Sequence, residues 1–296
     1  MNDTTERIVL HVGMPKAAST AFQVWCDANR DALLARGVDY PSALPHNAIE
    51  PKHQVLVQAL LRGDLSLLDG LAAPRAPVRL LSSEGLTGHL YDFALAVLER
   101  FRDRLHGTPV TLLVIDRERE AWARSYWRQK VTNPPAPRFD HGTALTFEAF
   151  CETPRMRALM DRARLFADLA AAYGAQEVVT ARVEDGWLDT ALDALGIEDR
   201  DGFETPARTN EGLSEAAIEL IRQVNGLGLT GDERDAVLAL FQRHLDTNNV
   251  QIRQATERAE RAGADLFKAR GALRRLKAED APTAALLDDL CGGDSS

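Results

Sequence analysis

The chain has 296 residues, of which 45% are hydrophobic and 27% charged, and a formal charge of −9. That apolar content supports a packed core in one large or two small domains and excludes wholesale disorder. The acidic balance argues against a general nucleic-acid binder, which is usually basic, and against a role on a membrane surface.

Arg7–Val12 is a near-continuous apolar run, the pattern of a strand covered on both faces. Ala18–Arg36 then places Phe22, Trp25, Cys26, Leu33 and Leu34 largely on one stripe, which predicts a helix. Tyr40–Lys52 carries Pro41, Pro45 and Pro51 and reads as a loop. Val78–Ser83 predicts the second strand, Tyr91–Leu105 a helix, and Val110–Ile115 the third strand. Thr132–Thr146 is rich in proline and is read as a loop. Pro154–Tyr173 predicts a helix and Glu177–Val183 the fourth strand. Strands alternating with helices imply right-handed crossovers and a mainly parallel sheet.

From about Thr209 the pattern is helical only. Leu213–Leu227 predicts one helix, capped at Ser214 or a neighbour. Thr230-Gly-Asp-Glu opens a second that is expected to run to about Lys277, with Glu257 and Arg261 paired one turn apart. The expected organisation is an α/β domain over 1–228, a helical extension over 229–279 and a disordered tail over 280–296.

The segment His11-Val-Gly-Met-Pro-Lys-Ala-Ala-Ser-Thr20 joins the first strand to a strong helix. An open α/β sheet places its ligand at such a junction. The helix N-terminus offers unpaired N–H groups and a positive dipole end, which suit a phosphate or sulfate. Lys16 adds a mobile cation, Ser19 and Thr20 add hydroxyls, and Ala17 and Ala18 let an anion approach the backbone. The segment is not a Walker A loop, because Lys16 precedes the small pair instead of closing a Gly-Lys-Ser/Thr run.

This loop resembles that of the sulfotransferase family that uses 3′-phosphoadenosine 5′-phosphosulfate, whose loop reads Pro-Lys-x-Gly-Ser/Thr-Thr after a first strand. The chain matches at His11, Gly13, Pro15, Lys16, Ser19 and Thr20 and departs at Ala18, where the family usually has glycine. A second family motif places an arginine at a strand end and a serine eight residues on. Arg117 and Ser125 have that spacing after Val110–Ile115. The resemblance covers roughly residues 6 to 228 and is closest to the bacterial and carbohydrate branch.

The resemblance implies a three-layer, P-loop-containing α/β fold with a central parallel sheet, to which the helical C-terminus is added. It implies sulfuryl transfer to an acceptor hydroxyl on a carbohydrate or small molecule. Pro15, Lys16, Ala17, Ala18, Ser19 and Thr20 would hold the 5′-phosphosulfate, and Arg117 and Ser125 the 3′-phosphate. Lys16 would also neutralise charge on the leaving phosphate oxygen. The acceptor proton needs a base. Glu84, at the end of the second strand, is one candidate; His53, after the proline-rich loop, is the other.

No carboxylate cluster or His/Cys spacing calls for a metal. Cys26, Cys151 and Cys291 are odd in number and far apart, so reduced thiols and a cytoplasmic location are expected. No membrane span and no nucleic-acid partner are expected, and the C-terminal helix is a candidate oligomerisation arm. The rival readings are a P-loop kinase or nucleotide hydrolase, which would need ATP and Mg²⁺, and a catalytically inactive nucleotide-binding or interaction protein.

Overall fold

A computed structural model describes residues 7–42, 52–69, 75–204, 213–245, 250–263, 269 and 271–273. The elements in chain order are β1 (Arg7–His11), α1 (Ser19–Ala28), α2 (Arg30–Ala35), β2 (Val38–Asp39), α3 (Gln54–Arg62), β3 (Val78–Ser82), α4 (Gly85–Gly88) and α5 (Leu95–Arg104). They continue with β4 (Val110–Asp116), α6 (Arg119–Thr132), α7 (Phe147–Cys151), α8 (Pro154–Met160), α9 (Arg162–Tyr173), β5 (Glu177–Arg182) and α10 (Trp187–Leu195). Last come α11 (Glu215–Gly226), α12 (Gly231–Leu245) and α13 (Val250–Arg261). The chain forms two compact units: residues 1–123 with 154–209, and residues 124–153 with 210–296.

The first unit is built on a five-stranded sheet of order β2-β3-β1-β4-β5, parallel throughout. Strand order reverses around β1, where open α/β sheets leave a crevice at the carboxyl ends of the strands. The register sets His11 opposite Ser82 on one side and Leu113 on the other. The segments that leave β1, β3 and β4 therefore emerge at one edge.

Alternation along the strands separates two faces. Val9, Leu80, Leu113 and Ile115 pack with Phe22, Trp25 and Cys26 of α1, Leu33 of α2, and Ala191, Leu192 and Leu195 of α10. Leu10, Leu112 and Val114 point the other way and are also buried. Outside the first cluster, α5 and α9 pack together and bury Phe101 against Tyr173. Helices thus lie on both faces, as expected for a parallel sheet.

Several boundaries differ from the sequence reading. The helix expected over Ala18–Arg36 breaks at Asn29. Its Nδ2 donates to Trp25 O at 2.8 Å and its Oδ1 accepts from Glu204 N at 2.8 Å, which competes with helical continuation. The helix expected over Pro154–Tyr173 breaks at Asp161, whose carboxylate accepts from Arg164 N and caps α9. A fifth strand, β2, is only two residues long and lies at the sheet edge. The opposite edge strand, β5, is exposed at Glu177, Thr180 and Arg182, so it is not covered on both faces.

The second unit contains α7, α11, α12 and α13. Ser214 caps α11 as expected, accepting from Ala217 N. Thr230 and Glu233 form a reciprocal capping box: Thr230 N donates to Glu233 Oε2, and Glu233 N donates to Thr230 Oγ1. The single long helix expected from there is replaced by α12 and α13, joined by an ion pair between Arg258 and Asp235 at 2.6 Å. Arg261 bonds the carbonyl of Glu257 through Nε at 3.1 Å. The segment Arg208–Gly212 and the tail 280–296 lie outside the described residues. Among the described residues, no helix is long and apolar enough to cross a membrane.

Candidate functional site

The first loop is tied down on every side. Val12 N donates to Leu113 O at 3.1 Å and Met14 N to Ile115 O at 2.8 Å. Thr87 Oγ1 donates to Val12 O at 2.8 Å, and Ser19 Oγ donates to Met14 O at 3.1 Å. The Trp122 indole N–H, buried at the start of α6, donates to Pro15 O at 2.7 Å. Gly13 has φ +78°, and a Cβ there would lie 2.6 Å from Glu84 Cβ. Only glycine allows that close approach of the loop to the end of β3.

Held in this way, the loop takes left-handed backbone at Lys16 (φ +66°) and Ala18 (φ +57°). For residues with a Cβ this conformation costs about 1–2 kcal/mol each. Left-handed residues alternating with ordinary ones turn successive N–H groups toward one concavity, an anion-binding nest. Ala18 occupies the position where glycine was expected, and its φ shows why glycine is suited there. The first hydrogen bond into α1 runs from Phe22 N to Ala18 O. The N–H groups of Lys16, Ala18, Ser19 and Thr20 have no backbone acceptor among the described residues. Pro15 and Ala17 are buried walls, and Thr20 is exposed. The Ser19 hydroxyl is committed to Met14 O, so it braces the loop from inside.

Lys16 is part of this turn, and Arg117 is close enough to act on its charge. Lys16 is exposed and makes no ion pair or hydrogen bond among the described residues. Crowding by the protein draws its ammonium below the usual lysine pKa; Glu84 opposes that and Arg117 adds to it. Arg117 follows β4 directly and is half-buried; no hydrogen bond or ion pair within 4 Å holds its guanidinium among the described residues, and its charge acts on Glu184 at longer range. Its neighbour Asp116 is gripped by Arg162 Nε at 3.1 Å, and the Arg162 guanidinium lies 4.2 Å over the Trp122 ring. Two neighbouring cations beside N–H donors without backbone acceptors are chemistry that suits an anion. Ser125, the other expected 3′-phosphate ligand, is half-buried on the part of α6 that belongs to the second unit.

Glu84 lies next to Gly13. Its Oε2 accepts from Gln23 Nε2 at 2.9 Å, and its Oε1 lies 3.5 Å from Lys52 Nζ. Burial pushes its pKa up, but Lys52, the Gln23 amide and its own backbone N–H outweigh that and hold the carboxyl below the usual glutamate range. It is therefore ionised at neutral pH and free of a proton. Gln23 also donates to Ser82 Oγ at 3.1 Å, and Ser82 Oγ lies 2.7 Å from His11 Nδ1.

His53 does not reach this site as a base. It is buried, its Nδ1 accepts from Ser82 N at 2.9 Å, and its Nε2 donates to Pro41 O at 3.0 Å. Both ring nitrogens are used, so no lone pair remains for an acceptor proton. Burial is the main cause that lowers its pKa to about 4, and the same effect lowers buried His11 to about 3. Both rings fold neutral and titrate near 6.5 when unfolded. Their stabilising effect is complete above the unfolded pKa and is lost as pH falls toward the folded values. Stability of the first unit should fall as pH drops from about 6.5 toward 3, through the folded values of both rings. Proton uptake on unfolding, measured by calorimetry at several pH values, should carry a histidine component near pH 5 that His53→Gln reduces.

Sequence reasoning missed Gln23, Ser82, Lys52 and Trp122. One signal was available: Ser19 and Gln23 are polar and one turn apart on an otherwise apolar helix face. Cys26 is buried and Cys151 half-buried, neither in a disulfide; Cys291 lies outside the described residues. Among the described residues, no His, Cys, Asp or Glu group could hold a metal ion. Comparison with protein-family models, curated proteins and solved structures returns no match for this chain.

Proposed function

We propose that the chain transfers a sulfuryl group from 3′-phosphoadenosine 5′-phosphosulfate to an acceptor hydroxyl. The observation that carries this reading is the closeness of Lys16 and Arg117, neither held by a hydrogen bond or close ion pair among the described residues, to one another beside a β1–α1 turn with left-handed backbone and N–H groups without backbone acceptors, with the ionised Glu84 near Lys16. In the proposed reaction the acceptor oxygen forms a bond to sulfur and the bond from sulfur to the 5′-phosphate oxygen breaks. Glu84 takes the acceptor proton. Lys16 balances the charge that develops on the leaving oxygen, a form of electrostatic stabilisation that is strongest when the donor is already in place. Arg117 suits a phosphate because its planar fork gives paired, charge-assisted hydrogen bonds. A carbohydrate or small molecule is the acceptor class favoured by the motif resemblance.

Two outcomes test the assignments. Arg117→Ala should weaken binding of adenosine 3′,5′-bisphosphate about tenfold or more, the effect of losing a hydrogen bond to a charged group of about 1.5–3 kcal/mol. Equilibrium dialysis showing unchanged affinity would take Arg117 out of the site. Glu84→Gln should leave that affinity near normal and lower the rate by about 100-fold or more, the usual range for general-base loss. A normal rate in the glutamine variant would remove Glu84 as the base.

A further inference from the structure

We propose that Gln23 is a positioning residue for this site, its amide holding one oxygen of the Glu84 carboxylate so that the other is the oxygen presented to an acceptor proton. This rests on the reading of Glu84 as the base. Gln23 is buried on α1, four residues beyond Ser19. Its Nε2 has two N–H groups, and both are used: one goes to Ser82 Oγ at 3.1 Å and one to Glu84 Oε2 at 2.9 Å.

Ser82 is the last residue of β3 and is fixed by the sheet register with His11. The amide is thus anchored to the sheet at one N–H and reaches the carboxylate with the other. A glutamate alone can turn about its terminal bonds. With Oε2 held, the carboxylate plane is set, and Oε1 remains on the side of Lys52, at 3.5 Å. The charged and titratable groups that face Glu84 are Lys52, Lys16 from the loop, and His11 from β1, which is neutral. Gln23 combines a direct bond to Glu84 with a direct bond to the sheet.

The arrangement also explains a buried polar residue on an apolar helix face. Phe22, Trp25 and Cys26 on the same helix pack into the core, and a glutamine among them is stable only when its amide is satisfied. Its two partners are a strand-end hydroxyl and the proposed base.

Gln23→Met keeps the volume and removes the donor. The test follows the Glu84 carboxyl by carbon NMR and the sulfuryl-transfer rate across acid pH, in the wild-type protein and in this variant. The expected result is that both the carboxyl midpoint and the acid limb of the rate rise together by about one pH unit, the size of a lost hydrogen bond to a charged group. Wild-type protein gives a reading that needs no variant: the Gln23 side-chain amide resonances should titrate in step with Glu84. A silent amide, or a carboxyl midpoint unmoved in Gln23→Met, overturns the positioning role and leaves Glu84 as base untouched. A carboxyl midpoint that moves while the acid limb stays fixed shows that Glu84 is not the base, and the proposal falls with that reading.

Discussion

Lys16→Ala is expected to lower sulfuryl-transfer turnover by about 100- to 1,000-fold, the usual effect of removing one preorganised charge donor from a transition state. The expectation follows from where the charge is. Lys16 makes no hydrogen bond or close ion pair among the described residues; the charge of Glu84 favours its ammonium only at longer range. Its pKa is drawn down by crowding and by Arg117, so a bound anion would relieve an unfavourable local charge. The backbone there is left-handed at φ +66°, and this geometry stays with alanine. Thermal stability should therefore change little while the rate collapses. Single-turnover rates measured on folded variant protein check this, and a near-normal rate would deny Lys16 its role.

The second large effect is structural and lies in the other unit. Arg234 is buried and donates from Nε to Asn225 Oδ1 at 2.7 Å and from Nη2 to Val131 O at 3.0 Å and Thr132 O at 3.2 Å. Those carbonyls end α6, where a helix leaves acceptors without partners and where its dipole favours a cation. Burial draws the guanidinium pKa down to about 10, opposed by Asp235 and assisted by Arg258. Asn225 Nδ2 also reaches Val131 O at 2.9 Å and Thr143 O at 3.0 Å, so α11 and α12 jointly secure the end of α6. Arg234→Met keeps the bulk and strands the Thr132 carbonyl and Asn225 Oδ1. At about 1–3 kcal/mol for each buried group left unsatisfied, the second unit should lose about 3 kcal/mol. Urea unfolding of that unit measures it; a loss under about 1 kcal/mol would show that the clamp is not needed.

The two cases differ in how far the sequence revealed them. Lys16 and Gly13 sit in a short segment whose spacing points to an anion, and the structure gives that segment a distinctive backbone. The four main strands were legible because β-branched apolar runs have few alternatives. Helix ends were harder. Asn29 and Asp161 end helices by side-chain bonds to backbone, and the same residues occur on exposed helix faces without doing so. The two residues of β2 carry no periodic signal at all. Gln23 and Arg234 were hidden for another reason. Apart from Asn225, the partners of Gln23 and Arg234 named here lie 59 to 103 positions away, so these roles arise only when the chain folds. His53 shows the opposite error: a histidine beside a proline-rich loop suggested chemistry, while both of its nitrogens are used by Pro41 and Ser82.

The formal charge of −9 coexists with this site because charge is local. In the proposed site Lys16, Arg117 and the N–H groups of one turn would supply the positive charge locally, whatever the net charge of the chain. Calorimetric titration of the full chain with adenosine 3′,5′-bisphosphate and, separately, with ATP and Mg²⁺ tests that site most directly. The bisphosphate is expected to bind more tightly, and Arg117→Ala to weaken it. Preference for ATP with Mg²⁺, or bisphosphate binding indifferent to Arg117, would contradict that expectation.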